Sequence, residues 1–147
     1  MSQKGVFRRI LVGYDGSDNA RRALNRAIEL ARQSKAELRI SVVADTMSYA
    51  TNARRGIYKQ VNEQTKANAV NLASDALDTA RLAGLKDVYA SDEVGQPADM
   101  LLTLATEYRV DLIVVGRRGI RGLERFLMGS VSTAVINQAK CDVLVVK

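Results

Sequence analysis

Apolar residues follow two alternating patterns along the chain, which predicts alternating strands and helices. Short apolar runs with the length of strands occur at residues 8–14, 36–44, 87–94, 111–115 and 141–146. The run at 111–115, DLIVV, is continuously apolar, as in strands that helices cover on both faces, whereas the run at 87–94 is weaker. The pattern therefore predicts five strands.

Between these runs, apolar residues recur at every third or fourth position, which is the spacing of a helix with one buried face. The segments with this spacing are 19–34, 57–82, 98–108 and 130–138. Each of them separates two predicted strands, so the chain alternates regularly between the two kinds of element.

Three residues indicate where helices begin or end. Ser17 is placed as the N-cap of the first helix, Pro97 stands at a helix start, and Gly84 follows the second helix in the C-terminal glycine role. Residues 45–56 are polar and have no clear periodicity, so they are assigned to no element.

The order of the elements predicts the fold class. Alternating strands and helices imply right-handed crossovers between parallel strands, and 147 residues with 47% hydrophobic content suit one domain. We predict an α/β fold with a doubly wound, Rossmann-like, open five-stranded parallel sheet, strand order 3-2-1-4-5 and helices on both faces, in a single domain over residues 1–147. In such sheets, ligands bind beyond the carboxyl ends of the strands.

The composition excludes several kinds of site. The chain has no histidine and a single cysteine, Cys141, which excludes Ser/His/Asp and Cys/His catalysis, an internal disulfide and the common zinc and haem sites. No apolar run approaches the ~20 residues that span a bilayer, and the opening MSQKGVFRRI lacks the features of a signal peptide. We expect a cytoplasmic protein that does not act at a membrane.

Positive charge is concentrated in one segment. The net charge is +6, and residues 116–125 hold four arginines and one glutamate, so that half of the excess lies there. Clustered arginines can bind the phosphates of nucleic acid. Nucleic-acid binding is nevertheless the less favoured hypothesis, because only Phe126 is interleaved with these charges for base stacking.

Glycines in the same segment have a spacing that suits phosphate. Neither GxxxxGK[ST] nor GxGxxG occurs, which argues against a P-loop and a dinucleotide-binding fold. Instead, Gly116 follows the fourth predicted strand, two residues separate it from Gly119, and nine residues separate Gly119 from Gly129 and Ser130. Glycines let backbone amides approach an anion, and residues 129–132 open a helix whose first amides lack internal partners.

This glycine spacing occurs together with an opening ILVGYDGS at 10–17 and a closing CDVLVVK at 141–147. With these features the whole chain resembles the universal stress proteins (UspA-like), specifically their ATP-binding branch. Gly13 and Asp142 depart from the family pattern, since many members carry proline at both positions. The first departure bears on how firmly Asp15 is held, and the second affects only the local backbone.

The resemblance implies a nucleotide site at the strand ends. Asp15 would lie near the ribose or a bound metal ion, the backbone of Val43 would contact adenine, and residues 129–132 would hold the phosphates. The implied ligand is ATP, with AMP or ADP as alternatives, together with Mg²⁺ at Asp15. The full predicted set of nucleotide-binding residues is Gly13, Asp15, Val43, Val115, Gly116, Arg117, Arg118, Gly119, Gly129, Ser130, Val131 and Ser132.

Several of these side chains have simpler explanations. Asp15 could be only a turn residue that accepts a hydrogen bond from its own backbone, and Ser130 could be only a helix N-cap. Arg117 and Arg118 lie beside the glycines, where a guanidinium could contact phosphate oxygens bidentately. Residues 121 and 125, also arginines, could equally face solvent or a partner.

Three functions stay open. The favoured one is a small ATP-binding regulatory protein of the stress response, in which the glycine and arginine loop closes on the phosphates and no residue is catalytic. The second is a slow ATPase or phosphoryl-transfer enzyme, for which Asp15 is the only obvious base. The third is nucleic-acid binding.

Assembly is predicted from the last strand. In the expected strand order it lies at an edge of the sheet, yet residues 143–146 carry none of the charges that discourage edge pairing. We expect a homodimer joined through residues 141–147. The downstream protein partner is not predicted.

Overall fold

Strands and helices alternate along the chain as the hydrophobic pattern predicts, and no boundary differs from its prediction by more than two residues. The computed structural model describes residues 5–45, 55–118 and 128–147, with the backbone alone for 55–62. The elements are β1 (Arg9–Gly13), α1 (Asp18–Ser34), β2 (Glu37–Asp45), α2 (Arg55–Leu82), β3 (Val88–Gly95), α3 (Pro97–Glu107), β4 (Leu112–Gly116), α4 (Ser130–Gln138) and β5 (Asp142–Val146).

Within these described ranges the strands form one five-stranded parallel sheet in the order β3-β2-β1-β4-β5, which confirms the predicted topology. Gly13 at the end of β1 pairs with Ser41 of β2, and Gly116 at the end of β4 pairs with Val146 of β5. The carboxyl ends of β1, β2 and β4 therefore meet at one edge of the sheet.

Helices cover both faces of the sheet. On one face, α1 and the second half of α2 pack on a core that includes Ile10, Val12, Leu38 and Ile40. On the other face, α3 and α4 pack on a second core that contains Leu11, Ile113 and Val115. Neighbouring residues of one strand thus belong to opposite cores, as the pleat of a strand requires.

The predicted helix ends are confirmed by their hydrogen bonds and dihedral angles. Ser17 caps α1, and its Oγ accepts from the backbone N of Ala20 at 3.2 Å. Pro97 begins α3, and Gly84 follows α2 with a φ of 98°, in the left-handed region that glycine tolerates. The helices that the structure describes include none long and apolar enough to cross a bilayer.

A carboxylate at the opposite end of the sheet joins β1 to β4. Asp111, just before β4, accepts at Oδ2 from the backbone N of Arg8 at 2.9 Å and at Oδ1 from that of Arg9 at 3.0 Å. The backbone N of Asp111 donates in turn to the carbonyl of Arg9 at 3.0 Å. These bonds fix the register of the two central strands, whose other ends form the floor of the site described next.

Candidate functional site

A cleft of about 450 Å³ lies beyond the carboxyl ends of β1, β2 and β4, where the rule for open α/β sheets predicts a ligand. Part of α2 and the start of α3 form its walls, and the N-terminus of α4 lies at one side. Eleven of the twelve predicted nucleotide-binding residues line it, and the twelfth, Gly119, lies outside the described residues. Their role as nucleotide ligands stays a prediction.

The turn after β1 holds Asp15 at the cleft. Asp15 Oδ1 accepts from the backbone N of Ser17 at 2.9 Å, so the carboxylate does stabilise its own turn, and the same residue lines the cleft. Gly16 has a φ of 79°, and a Cβ there would lie 2.9 Å from Leu72 Cδ2 of α2. The positive φ is therefore the main reason for a glycine in this turn, since other residues adopt it only with strain.

The backbone of Arg117 joins the two ends of the loop between β4 and α4. The carbonyl of Arg117 accepts from the backbone N of Gly129 at 2.8 Å and from Ser132 Oγ at 2.9 Å. The backbone N of Arg117 donates to the carbonyl of Val146 in β5 at 2.7 Å. Because of these bonds, the two ends of the loop lie next to each other beside the cleft.

The helix α4 begins with three backbone amides that precede its first internal hydrogen bond. That bond runs from the N of Thr133 to the carbonyl of Gly129 at 3.1 Å. The amides of Ser130, Val131 and Ser132 come before it, and in a helix such amides have no internal partner. They lie at the cleft, where an anion can accept from them.

The two serines of α4 have different roles. The expectation that Ser130 could be the N-cap is wrong, because Gly129 is the N-cap and Ser130 is the first helical residue, with an exposed side chain. Ser132 is buried, and its hydroxyl bonds the carbonyls of Arg117 and Gly129. The Ser132 side chain therefore holds the loop, and only the Ser130 side chain is exposed at the cleft.

The two ends of the cleft differ in chemistry. The first, here called the glycine–arginine end, consists of residues 116–118 and 129–132 and includes two arginines, Arg117 and Arg118, and the first residues of α4. The second, here called the apolar end, is formed by strand, α2 and α3 side chains. Its residues are Val43, Ala44, Ala69, Leu72, Pro97 and Leu101. A ligand that fits both ends carries an anionic group at one end and a flat or apolar group at the other.

Sequence reasoning missed several polar residues of the cleft. They are Tyr14, Ser41, Asp45, Thr65 and Asn68. Helical spacing predicts that Thr65 faces inward, yet it does not reveal that this part of α2 covers a cleft rather than the core. Ser41 could have been found from the sequence, because it is a polar residue between Ile40 and Val42 in a strand that helices are predicted to cover on both faces.

Other predictions fall outside what the structure describes. Arg121 and Arg125 lie in the segment 119–127, so their contact with phosphate stays untested. Across the described part of the chain, no group of three or more acidic, cysteine or histidine side chains could hold a metal ion. The metal role of Asp15 therefore stays a prediction that depends on additional ligands from a nucleotide.

One protein-family model matches nearly the whole chain. A model of the universal stress protein family matches residues 7–147. A protein of Staphylococcus aureus (strain USA300) that is named for this family is 38% identical over 144 residues, which cover 97% of this chain and 85% of that protein.

Solved structures agree with the family match. Universal stress protein UspA from Lactobacillus plantarum superimposes with a TM-score of 0.85 at 26% identity, covering 95% of this chain and 97% of that one. A universal stress protein crystallised in complex with cAMP is 34% identical, with a TM-score of 0.74 and coverage of 97% and 99%.

Proposed function

Since the chain belongs to the universal stress protein family, we propose that it is a regulatory protein that binds an adenine nucleotide, ATP first of all, in the cleft beyond its strand ends. The observation that carries the proposal is the convergence on one cleft of eleven residues chosen from the sequence. A volume of about 450 Å³ also falls in the usual range for ligand sites. A related universal stress protein that was crystallised with cAMP supports the choice of an adenine nucleotide.

The base is placed at the apolar end. Val43 stands near the carboxyl end of β2, and Leu72 and Leu101 approach the cleft from α2 and α3. A flat heterocycle between these side chains removes apolar surface from water, at roughly 25 cal/mol for each Å² that is buried. The backbone of Val43 is the group expected to contact the edge of adenine.

The phosphates are placed at the glycine–arginine end. The amides at the start of α4 can donate to phosphate oxygens, and Arg117 and Arg118 add positive charge on the side of β4. Mg²⁺ in nucleotide sites commonly has one or two carboxylate ligands besides the phosphates, so Asp15 suits the role of its protein ligand. The metal would neutralise part of the phosphate charge.

The regulatory step follows from the position of these charges. A bound triphosphate neutralises the arginines beside Gly116 and Gly129, and the loop between these glycines closes on it. The surface that a downstream protein meets then differs between the free and the bound form. A regulatory role requires no catalytic base, so the Asp15 carboxylate, one oxygen of which accepts from the backbone N of Ser17, is assigned to binding alone.

A homodimer through β5 is part of the same proposal. This strand lies at an edge of the sheet, and Val143, Leu144 and Val145 are only half-buried in the single chain. Residues 143–146 of this strand carry no charge, and uncharged stretches of an edge strand tend to pair with another strand. Light scattering at micromolar concentration is expected to give the mass of two chains, and a monomeric mass would refute this part.

Two measurements test the nucleotide site. Acid denaturation of the purified protein is expected to release an adenine nucleotide, or titration calorimetry of nucleotide-free protein to give binding heat with ATP and Mg²⁺. Arg118→Gln removes one charged hydrogen-bond donor and is expected to weaken ATP binding about tenfold. Arg81→Gln is the matched control, because Arg81 is an exposed residue at the end of α2 that does not line the cleft.

The alternatives have distinct outcomes. Absence of both released nucleotide and binding heat would refute the proposal. Steady phosphate release that Asp15→Asn abolishes, with ATP binding retained, would show an ATPase instead. Tight DNA or RNA binding that falls steeply with salt and ignores ATP would favour the nucleic-acid hypothesis.

A further inference from the structure

One buried hydroxyl group at the floor of the cleft has no hydrogen-bond partner among the residues that the structure describes. Ser41 is 1% exposed, and within the described part of the chain its Oγ forms no hydrogen bond. Its backbone is fully engaged in the sheet, and its carbonyl also accepts from the N of Tyr14 at 2.9 Å. More than nine in ten buried polar groups in proteins are paired, so this hydroxyl requires an explanation.

The direction of the side chain follows from the strand pattern. Ile40 and Val42, on either side of Ser41, belong to the cores under α1 and α2, so the Ser41 side chain faces the side of the sheet on which α3 packs. Its register partner Gly13 has no side chain, and a Cβ there would lie 2.9 Å from Leu101 Cδ1 of α3. Both Gly13 and Ser41 line the cleft, and the neighbour that packs over Gly13 on this side of the sheet is the end of the Leu101 side chain, which also lines the cleft.

The hydroxyl lies toward the apolar end and away from the phosphate-binding groups. Ser41 is two residues before Val43 on β2, whereas the arginines and the α4 amides belong to the far side of β4. The order of the sheet places β1 between these two groups. A nucleotide whose phosphates meet α4 therefore presents its base, rather than its phosphates, to Ser41.

We propose that Ser41 is a specificity-determining residue, whose hydroxyl forms a hydrogen bond with a polar atom on the edge of the bound base. This inference rests on the nucleotide-binding function proposed above. A hydroxyl can both donate and accept, so it selects a heterocycle with a nitrogen or oxygen at that edge over a purely apolar group. The unpaired hydroxyl disfavours the free protein, and the ligand removes this penalty on binding.

Ser41→Ala tests the proposal by measuring affinity and stability together. Without the hydroxyl, affinity is expected to fall about fivefold, by the same factor for ATP and for adenosine. The melting temperature of the nucleotide-free variant is expected to equal or exceed that of the wild type, because no buried polar group is left unpaired. Ser91→Ala is the matched control, since Ser91 pairs with Ser41 across β3 but does not line the cleft.

Each outcome of this test either supports or overturns the role of Ser41. Unchanged affinity in Ser41→Ala would overturn the proposal, and so would a loss for ATP without a loss for adenosine, which would place the contact on the phosphates. A variant that loses stability and affinity together would show a structural role instead. If the wild type binds neither ATP nor adenosine, the nucleotide-binding function itself fails, which the wild-type titration alone reveals.

Discussion

Gly116 is predicted to be required by packing rather than by backbone conformation. Its φ is not in the left-handed region, so an alanine could adopt the same backbone. A Cβ at this position would, however, lie 2.8 Å from the carbonyl carbon of Asn19, 2.9 Å from its Cβ and 3.0 Å from its carbonyl oxygen. These are mostly backbone atoms of the first turn of α1, which cannot move unless the helix moves.

The magnitude follows from the cost of overpacking. Inserting one carbon into a packed region costs typically 1–3 kcal/mol, and replacing glycine by alanine recovers about 0.4–1 kcal/mol through the unfolded chain. The net loss in the free energy of unfolding is therefore about 1–2 kcal/mol for Gly116→Ala. In a domain of this size, such a loss lowers the melting temperature by about 3–6 °C.

Gly13→Ala is the matched control for this prediction. Both glycines end a central strand and line the cleft, and the added Cβ would meet its neighbour at almost the same distance, here 2.9 Å from Leu101 Cδ1. The neighbour is the end of a flexible side chain, which can rotate away. We expect Gly13→Ala to lower the melting temperature by at most about 2 °C.

Differential scanning calorimetry of the two variants and the wild type, all free of nucleotide, is the appropriate assay. A melting temperature of Gly116→Ala equal to the wild-type value would refute the reasoning from close approach. An equal loss in both variants would show that the kind of neighbour, backbone or side-chain end, does not decide the cost.

Three further predictions concern other parts of the chain. Burial raises the pKa of the Cys141 thiol, so the folded protein keeps this proton at a pH where the unfolded chain loses it. The contribution of this thiol to the free energy of unfolding is therefore expected to decline as the pH rises above the ordinary thiol pKa. Ellman's reagent is expected to react more slowly with the folded than with the denatured protein. Ser132→Ala is expected to lower the free energy of unfolding by about 1 kcal/mol, whereas Ser130→Ala leaves it unchanged and weakens only ATP binding. Urea titration measures the stability of both variants, and titration calorimetry measures their affinity for ATP. The guanidinium of Arg39 lies 3.7 Å from the ring centroid of Tyr108 and 4.8 Å from that of Tyr89, and it pairs with Glu37. Arg39→Met is expected to lower the urea midpoint by an amount equivalent to about 1 kcal/mol, and an unchanged midpoint would contradict the contribution of these contacts.

The fold was predictable because its determinants are local. A continuous apolar run such as 111–115 predicts a doubly covered strand, and a residue such as Ser17 or Pro97 marks a helix start by its own chemistry. Right-handed crossovers limit the strand order to a few doubly wound arrangements, and the choice of 3-2-1-4-5 rests on analogy with other folds of this kind. The position of the cleft follows from that order, and no step requires knowledge of which side chains meet.

The contacts that shape the cleft were not predictable in the same way. The glycine spacing indicates a role for Gly116 in a phosphate loop, but a Cβ at this position would meet Asn19, nearly a hundred residues earlier in the chain. The spacing of apolar residues along α2 predicts that Leu72 is buried, but it does not show that Gly16 is its neighbour. A contact between distant segments depends on the relative position of whole elements, which periodicity alone does not determine.

The polar groups of the cleft divide into those that build it and those that remain for a ligand. The carbonyl of Arg117 and the hydroxyl of Ser132 join the ends of the β4–α4 loop. The hydroxyls of Ser130 and Ser41 and the first amides of α4 take no part in these bonds. Substitutions in the first group therefore change stability and affinity together, whereas those at Ser130 or Ser41 change affinity without lowering stability. The described part of the site is thus held by its own hydrogen bonds, so a ligand that binds there would lose little of its binding free energy in ordering these groups.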